Sequence, residues 1–188
     1  MRRGPCLINL NAIGMKRIPE KRALERLQEL KDNFAARISS EYEHAAKSCA
    51  TCETKGACCL DAHFVNVRIT RIEARAIANV LERLPDEDAG RVRARIEKAV
   101  ERYALTDDGD PDRQTYACPL FEKDAGCLVH REGKPAACIH HACYENERDL
   151  PPDSLLEEQE TMIERLDERV YGTRSRWMPL PVWLSKMR

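Results

Sequence analysis

The sequence predicts a mainly α-helical protein, with amphipathic helices packed around a loop-rich cysteine metal core and at most one or two short strands. Three observations carry that expectation. Apolar residues recur every three or four positions over several long stretches, the pattern of a helix with one buried face. Two S/T-x-x-E tetrads stand where such stretches begin, a spacing that satisfies free backbone N–H groups at a helix start. Eight of the nine cysteines fall into two tight groups, in segments with little periodicity. With 188 residues, 34% of them charged and only 5% aromatic, the chain fits one modest aliphatic core better than two domains.

Residues 1–18 read as an N-terminal extension with no expected order. The segment runs Met1-Arg2-Arg3 and then Cys6-Leu7-Ile8, a signal-peptide-like order that Asn9 and Asn11 interrupt. The longest uncharged stretch, Gly4 to Met15, falls short of the roughly 20 apolar residues that a membrane helix needs. A cytoplasmic protein with no membrane contact is expected, in a compartment where stable disulfides are rare.

From Pro19 to about Ser48, Leu24, Leu27, Leu30, Phe34, Ile38, Tyr42 and Ala45 line one face of a long helix. That helix is expected to deliver the chain directly into the first cysteine group. Val65, Val67 and Ile69 then alternate with Asn66 and Arg68, which reads as a short strand. Thr70-Arg71-Ile72-Glu73 is a capping box opening a helix with Ile72, Ile77, Val80, Leu81 and Leu84 inward, closed by Pro85. Capping accounts for Glu73 without a catalytic role. A further helix spans about Asp86 to Ala104, with Val92, Ile96, Val100 and Tyr103 in register.

Thr106 to Asp112 is an acidic turn whose four Asp lack the ligand order and closing Glu of a calcium loop, so it reads as solvated. Ser154-Leu155-Leu156-Glu157, the second capping box, opens a helix through Met162, Ile163, Leu166 and Val170 that Gly172 ends. Residues 19–172 thus form a single helical domain. Residues 173–188 form a basic tail with Trp177, Trp183, Pro179 and Pro181, expected to pack on the helices. The sharper use of that tail is docking of a protein partner. The 31 basic and 32 acidic residues leave a net charge of −1, so nucleic acid is not an expected partner.

Cys49, Cys52, Cys58 and Cys59 form one cysteine group; Cys118, Cys127, Cys138 and Cys143 form the other, and Cys6 stands apart. Thiols scattered through a core would not cluster in this way. Thiolates favour zinc, copper(I) and iron–sulfur clusters over calcium or magnesium. The C-x2-C spacing of Cys49 and Cys52 lets a tight turn aim two sulfurs at one ion, and Gly56 permits a sharp turn before Cys58-Cys59. In extended backbone adjacent side chains diverge, so that pair serves two centres or supplies a single ligand. Eight sulfurs suffice for two four-ligand sites, for one [4Fe–4S] cluster with a zinc, or for one site with four spectators. His130, His140 and His141 are candidate nitrogen ligands, read first as surface or supporting residues because cysteine alone supplies enough donors.

Taken together, Cys49, Cys52, Cys58-Cys59, the Val65-Val67-Ile69-Thr70 run with Glu73, Cys118-Pro119-Leu120, Cys127-Leu128-Val129-His130 and Lys134-Pro135-Ala136-Ala137-Cys138 resemble a known family. It is the YkgJ-like cysteine-cluster family of the CxxCxxCC type, and the resemblance covers roughly residues 49–144. Two positions depart from its pattern: the gap between Cys52 and Cys58 is longer, and Lys134 stands where Arg is usual. The resemblance implies a core that binds zinc or an iron–sulfur cluster, in a cytosolic protein serving structure, sensing or electron transfer. Some relatives carry a flagellin lysine N-methylase label, which makes a metal-dependent redox or protein-modifying enzyme the second reading. No glycine-rich strand-to-helix loop that would cradle S-adenosylmethionine is visible, nor a P-loop or HExxH motif. A zinc-stapled adaptor for a protein or nucleic acid is the third.

Overall fold

The computed structural model describes residues 16–47, 53, 56–63, 65–110, 113–123, 125–144 and 146–187. Pro19, with φ −60° and ψ 142°, leads into α1 (Glu20–Glu41), whose inner stripe is Ala23, Leu27, Lys31, Phe34 and Ile38. The helix stops at Tyr42, short of Ser48, and a 3-10 turn (Glu43–Ala45) and β1 (Ala46–Lys47) follow. β1 pairs antiparallel with β5 (Cys143–Tyr144), Ala46 facing Tyr144 and Lys47 facing Cys143. The expected direct run of helix into the first cysteine group is therefore corrected. Apolar spacing continued through Tyr42 and Ala45, but a cross-strand ladder to the second cysteine group takes over the backbone hydrogen bonds there.

A single turn, α2 (Ala57–Leu60), carries Cys58 and Cys59. β2 (Arg68–Ile69) occupies the end of the expected strand and leads into α3 (Arg71–Leu81). The Thr70 capping box is formed: Glu73 N donates to Thr70 Oγ1 at 3.5 Å and Thr70 N donates to Glu73 Oε2 at 3.3 Å. α4 (Asp86–Arg102) follows Pro85 with Asp86, Glu87 and Asp88 in its first turn, where carboxylates favour the helix dipole.

β3 (Phe121–Glu122) and β4 (Gly126–Cys127) make a hairpin, and α5 (Ala136–His140) is a short helix behind Pro135. α6 (Asp153–Tyr171) begins one residue before Ser154 with Pro152 at its N-cap and no side-chain cap, so the second capping box does not form. Gly172 ends α6 in the left-handed conformation, φ 69°.

The tail forms β6 (Met178–Pro179), paired with β2, and then α7 (Leu180–Lys186), which packs on α4. Its anchors are aliphatic as much as aromatic: Met178, Leu180, Val182 and Leu184 are buried, and full burial of such a side chain is worth about 1.5–3 kcal/mol. Trp177 Nε1 donates to Glu164 Oε1 at 2.5 Å, while Trp183 Nε1 donates to the Arg176 carbonyl at 3.2 Å. Arg176 and Lys186 both reach Asp107 of the acidic turn, at 3.6 and 3.4 Å. At the other end, Ile18 N donates to Arg169 O and Arg169 Nε donates to Lys16 O, which ties residues 16–18 to α6. Residues 1–15, Cys6 among them, lie outside the described residues.

Helix accounts for 57% of the structure, and the strands, all two residues long, form three two-stranded ladders among the described residues. The strands outnumber the one or two expected, because two-residue ladders leave no alternating pattern in a sequence. The main core joins α3, α4 and α7 around Ile69, Ile77, Val92, Tyr116 and Leu180. A second cluster joins α1, α3, α5 and α6 around Leu27, Ile72, Ala136 and Ile163. Among the described residues no helix is long and apolar enough to cross a membrane.

Candidate metal centre

Four segments bring cysteines into one neighbourhood. Gly56, the N-cap of α2, adopts φ 83°, and a Cβ there would stand 2.0 Å from Phe121 Cζ. The missing side chain lets β3 lie directly over the turn that bears Cys58 and Cys59. Cys118 N donates to Cys59 O at 2.7 Å, a second tie between the two cysteine groups. Arg95 clamps the Cys118-Pro119 segment to α4: its Nε donates to Pro119 O at 2.9 Å and its guanidinium pairs with Glu122 at 2.7 Å. The β3–β4 hairpin then supplies Cys127, and α5 supplies Cys138.

Within these turns, backbone amides face the sulfurs. The N–H groups of Leu120 and Phe121 lie against the Cys118 sulfur, and that of Val129 against the Cys127 sulfur. Such donors favour the thiolate. Burial opposes them and wins, because a charged sulfur loses its hydration: Cys59 is pushed up to about 12, Cys118 to about 11, and Cys127 and Cys138 also upward. Mutual repulsion adds to burial. Cys59 feels Cys58, Cys118 and Cys127, and Cys138 feels Cys118, Cys127 and Cys59. Lys134 acts against this at Cys127 and Cys138. Cys59, Cys118, Cys127 and Cys138, from α2, the 118 turn, β4 and α5, are thus held neutral and near one another, with Cys58 beside them.

The other cysteines stand as follows. Cys143 sits on β5 opposite Lys47, two residues before Cys49 in the chain. Cys49 and Cys52 lie outside the described residues. Among the described residues, no group of three or more His, Cys, Asp and Glu side chains is arranged to hold an ion, so the five thiols neighbour one another more loosely than a coordination sphere. The adjacent pair differs from the extended geometry expected: on α2 neighbouring side chains are turned by about 100° from each other, leaving Cys58 exposed and Cys59 half-buried.

Of the histidines, His140 is engaged elsewhere. His140 stacks on Phe34, ring centroids 6.4 Å apart, and its Nε2 lies 3.3 Å from Pro152 O. Burial holds His130 and His141 below the ordinary imidazole value. Among the charges, His130 feels Lys134, Glu43 and Arg131, and His141 feels His140 and Lys134.

Glu73 caps α3 as expected and has two further partners. Its Oε1 accepts from Ala136 N at 3.3 Å, the first residue of the helix bearing Cys138, and pairs with Lys31 Nζ at 3.0 Å. Both side chains are almost fully buried, 3% and 1% exposed. Lys31 went unrecognised in the sequence, although its position was a signal: four residues after Leu27 and three before Phe34, it interrupts the apolar stripe of α1. A charge on an inner face requires a buried partner. Tyr116, wholly buried, donates its hydroxyl to Val67 O and accepts from Leu180 N at 3.3 Å, joining the segment before Cys118 to the tail. Compared with family models, curated proteins and solved structures, the chain matches none.

Proposed function

We propose that this is a cytosolic metal-binding protein of the YkgJ-like cysteine-cluster type, whose clustered thiols hold an iron–sulfur cluster or zinc. The observation that carries the reading is the gathering of Cys58, Cys59, Cys118, Cys127 and Cys138 from four segments into one half-buried neighbourhood. Nothing in core packing asks for five mutually repelling titratable groups in one place. A bound cation inverts the balance: each sulfur is then favoured as thiolate, and ligation releases protons. The amides of Leu120, Phe121 and Val129 already favour that charge state at Cys118 and Cys127. Cys49, Cys52 and Cys143 complete the proposed ligand set. Zinc would cross-link these loops; an iron–sulfur cluster would add electron transfer.

Iron, zinc and acid-labile sulfide per chain, measured on anaerobically purified protein, test the proposal. Iron with matching sulfide is the expected result for a cluster, and one or two zinc ions per chain for a structural core. Cys59→Ser and Cys127→Ser are expected to lose metal, whereas Cys6→Ser is expected to keep it. Metal-free protein, or equal metal content in all three variants, would sink the reading.

A further inference from the structure

The end of the molecule where α1 starts and α6 stops is strongly basic. Residues 16–22, 71–75 and 167–174 carry eight basic side chains and four acidic ones, in a chain whose net charge is −1. Contacts bring the three stretches together. Arg169 Nε donates to Lys16 O at 3.1 Å, and the Arg17 guanidinium lies against Gly172, where a Cβ would collide with it. The Arg71 guanidinium lies over the Tyr171 ring, 4.0 Å from its centroid, while the Tyr171 hydroxyl donates to Glu20 Oε2 at 2.8 Å.

The four acids are engaged. Glu73 and Asp167 are buried; the first pairs with Lys31 and the second accepts from Ile72 N. Glu20 holds Tyr171 and shares Arg75 with Glu82. Glu168 accepts from Ser175 N at 3.4 Å. In contrast, Lys16, Arg17, Arg71, Arg169 and Arg174 enter no ion pair among the described residues. All but the half-buried Arg169 are exposed, and residues 1–15 contain no acid to offset them.

Four of these five cations are arginines, whose planar forks match phosphate oxygens two at a time. Two features select a nucleic-acid strand among anionic partners. A guanidinium held over an aromatic ring keeps its other face for an unpaired base to stack on, a contact that neither a lipid headgroup nor an acidic peptide uses. The exposed large apolar side chains among the described residues are Leu60 and Leu150, in other segments, so this end lacks the apolar face that settles a protein into a lipid surface. We infer that this end of the molecule binds a single-stranded nucleic acid through its phosphates, with Lys16, Arg17, Arg71, Arg169 and Arg174 as the cationic contacts. Net charge over the whole chain argued against such a partner because it averages this end with the acids elsewhere. The inference does not rest on the metal reading.

Fluorescence anisotropy of the full-length protein with labelled single-stranded RNA and DNA dodecamers, at about 0.05 and 0.2 M salt, tests it. Vesicles of phosphatidylserine and phosphatidylcholine and an oligoglutamate peptide are measured alongside. Saturable binding of at least one strand is expected. Five neutralised phosphates give a slope of about −3.5 in log affinity against log salt, so binding should weaken about a hundredfold between the two salts. The pair Arg17→Gln and Arg174→Gln should weaken binding tenfold or more. The pair Arg93→Gln and Lys98→Gln removes the same charge from the exposed side of α4 and should change it less than twofold. Binding of RNA alone or of DNA alone supports the inference and tells which sugar the site prefers. Failure of both strands to saturate at the lower salt, or vesicles or peptide bound as tightly as the strands, overturns it. So does a loss below tenfold in the first pair, or an equal loss in the second.

Discussion

Replacing Lys31 by Met is the most informative single perturbation of this fold. Met nearly matches the lysine stem in volume, so the change removes a charge and leaves little void. At the 3.0 Å separation of Lys31 Nζ and Glu73 Oε1, an effective dielectric of about 20 gives an attraction of about 5.5 kcal/mol before desolvation. Without Lys31, the Glu73 carboxylate stays buried with only the amides of Thr70 and Ala136 to solvate it. Breaking such a pair costs about 3–5 kcal/mol, whereas removing both charges costs much less. Urea unfolding of wild type, Lys31→Met, Glu73→Gln and the double variant closes the cycle. Each single variant is expected to lose about 3–5 kcal/mol, and the double variant to recover at least about 2 kcal/mol of the summed loss. At this chain length that is a drop of about 6–20 °C in Tm for each single variant. Because Ala136 N leans on Glu73, the same variants should label faster at Cys138 with a thiol reagent. A loss below about 1 kcal/mol for Lys31→Met, or simple additivity, would refute the reasoning.

Three further outcomes are expected. Gly56→Ala places a Cβ 2.0 Å from the Phe121 ring at φ 83°, so it should cost at least the 1–2 kcal/mol (about) of the left-handed backbone and lower both Tm and metal content; wild-type values for both would contradict the tie between α2 and β3. Tyr116→Phe removes a hydroxyl that bonds both ends of the 2.9 Å hydrogen bond from Leu180 N to Val67 O and leaves that bond in place, so it should cost only about 0.5–1.5 kcal/mol in chemical unfolding, with tail amides around Leu180 exchanging faster. For Asp167, burial raises the carboxyl from 3.8 to about 6 against the Ile72 N–H that donates to it at 2.8 Å. A raised acid supports the fold while protonated: its contribution is full below pH 3.8 and is lost as pH rises through about 6. Asp167→Asn, which keeps an acceptor for Ile72, should therefore flatten the dependence of Tm on pH over that window. An unchanged pH profile would count against this assignment.

Helical periodicity was legible wherever one face met a core. Ile72 and Ile77 on α3, Val92 and Ile96 on α4, and Ile163 and Leu166 on α6 are buried as their spacing implied. The Thr70 box formed with Glu73 folded back on the Thr70 amide, while Ser154 lost to Pro152, which takes the N-cap and starts α6 two residues earlier than a Ser154 cap would. Boundaries set by distant partners were not legible. Nothing near Tyr42 announces that Lys47 will lie opposite Cys143, almost a hundred positions away. For the candidate centre, clustering of the cysteines was visible in spacing, and so was the turn at Gly56. Which thiols share a neighbourhood depended on Phe121 over Gly56 and on Cys118 hydrogen-bonded to Cys59, contacts between segments that spacing does not encode. The Lys31–Glu73 pair was hidden because it joins α1 to the first turn of α3, a contact that spacing along either helix does not encode.

The bond from Cys118 to Cys59 also sets an order of events. It joins points about 60 residues apart, and closing a flexible loop of that length costs about 3.6 kcal/mol beyond a constant. The chain between them carries α3 and α4, which the main core joins through α7. Assembly of the thiol neighbourhood is therefore cheapest once α7 has docked on both helices. A nascent chain would expose its thiols until residues 180–186 had been made, and in that interval an oxidant has its best access to them.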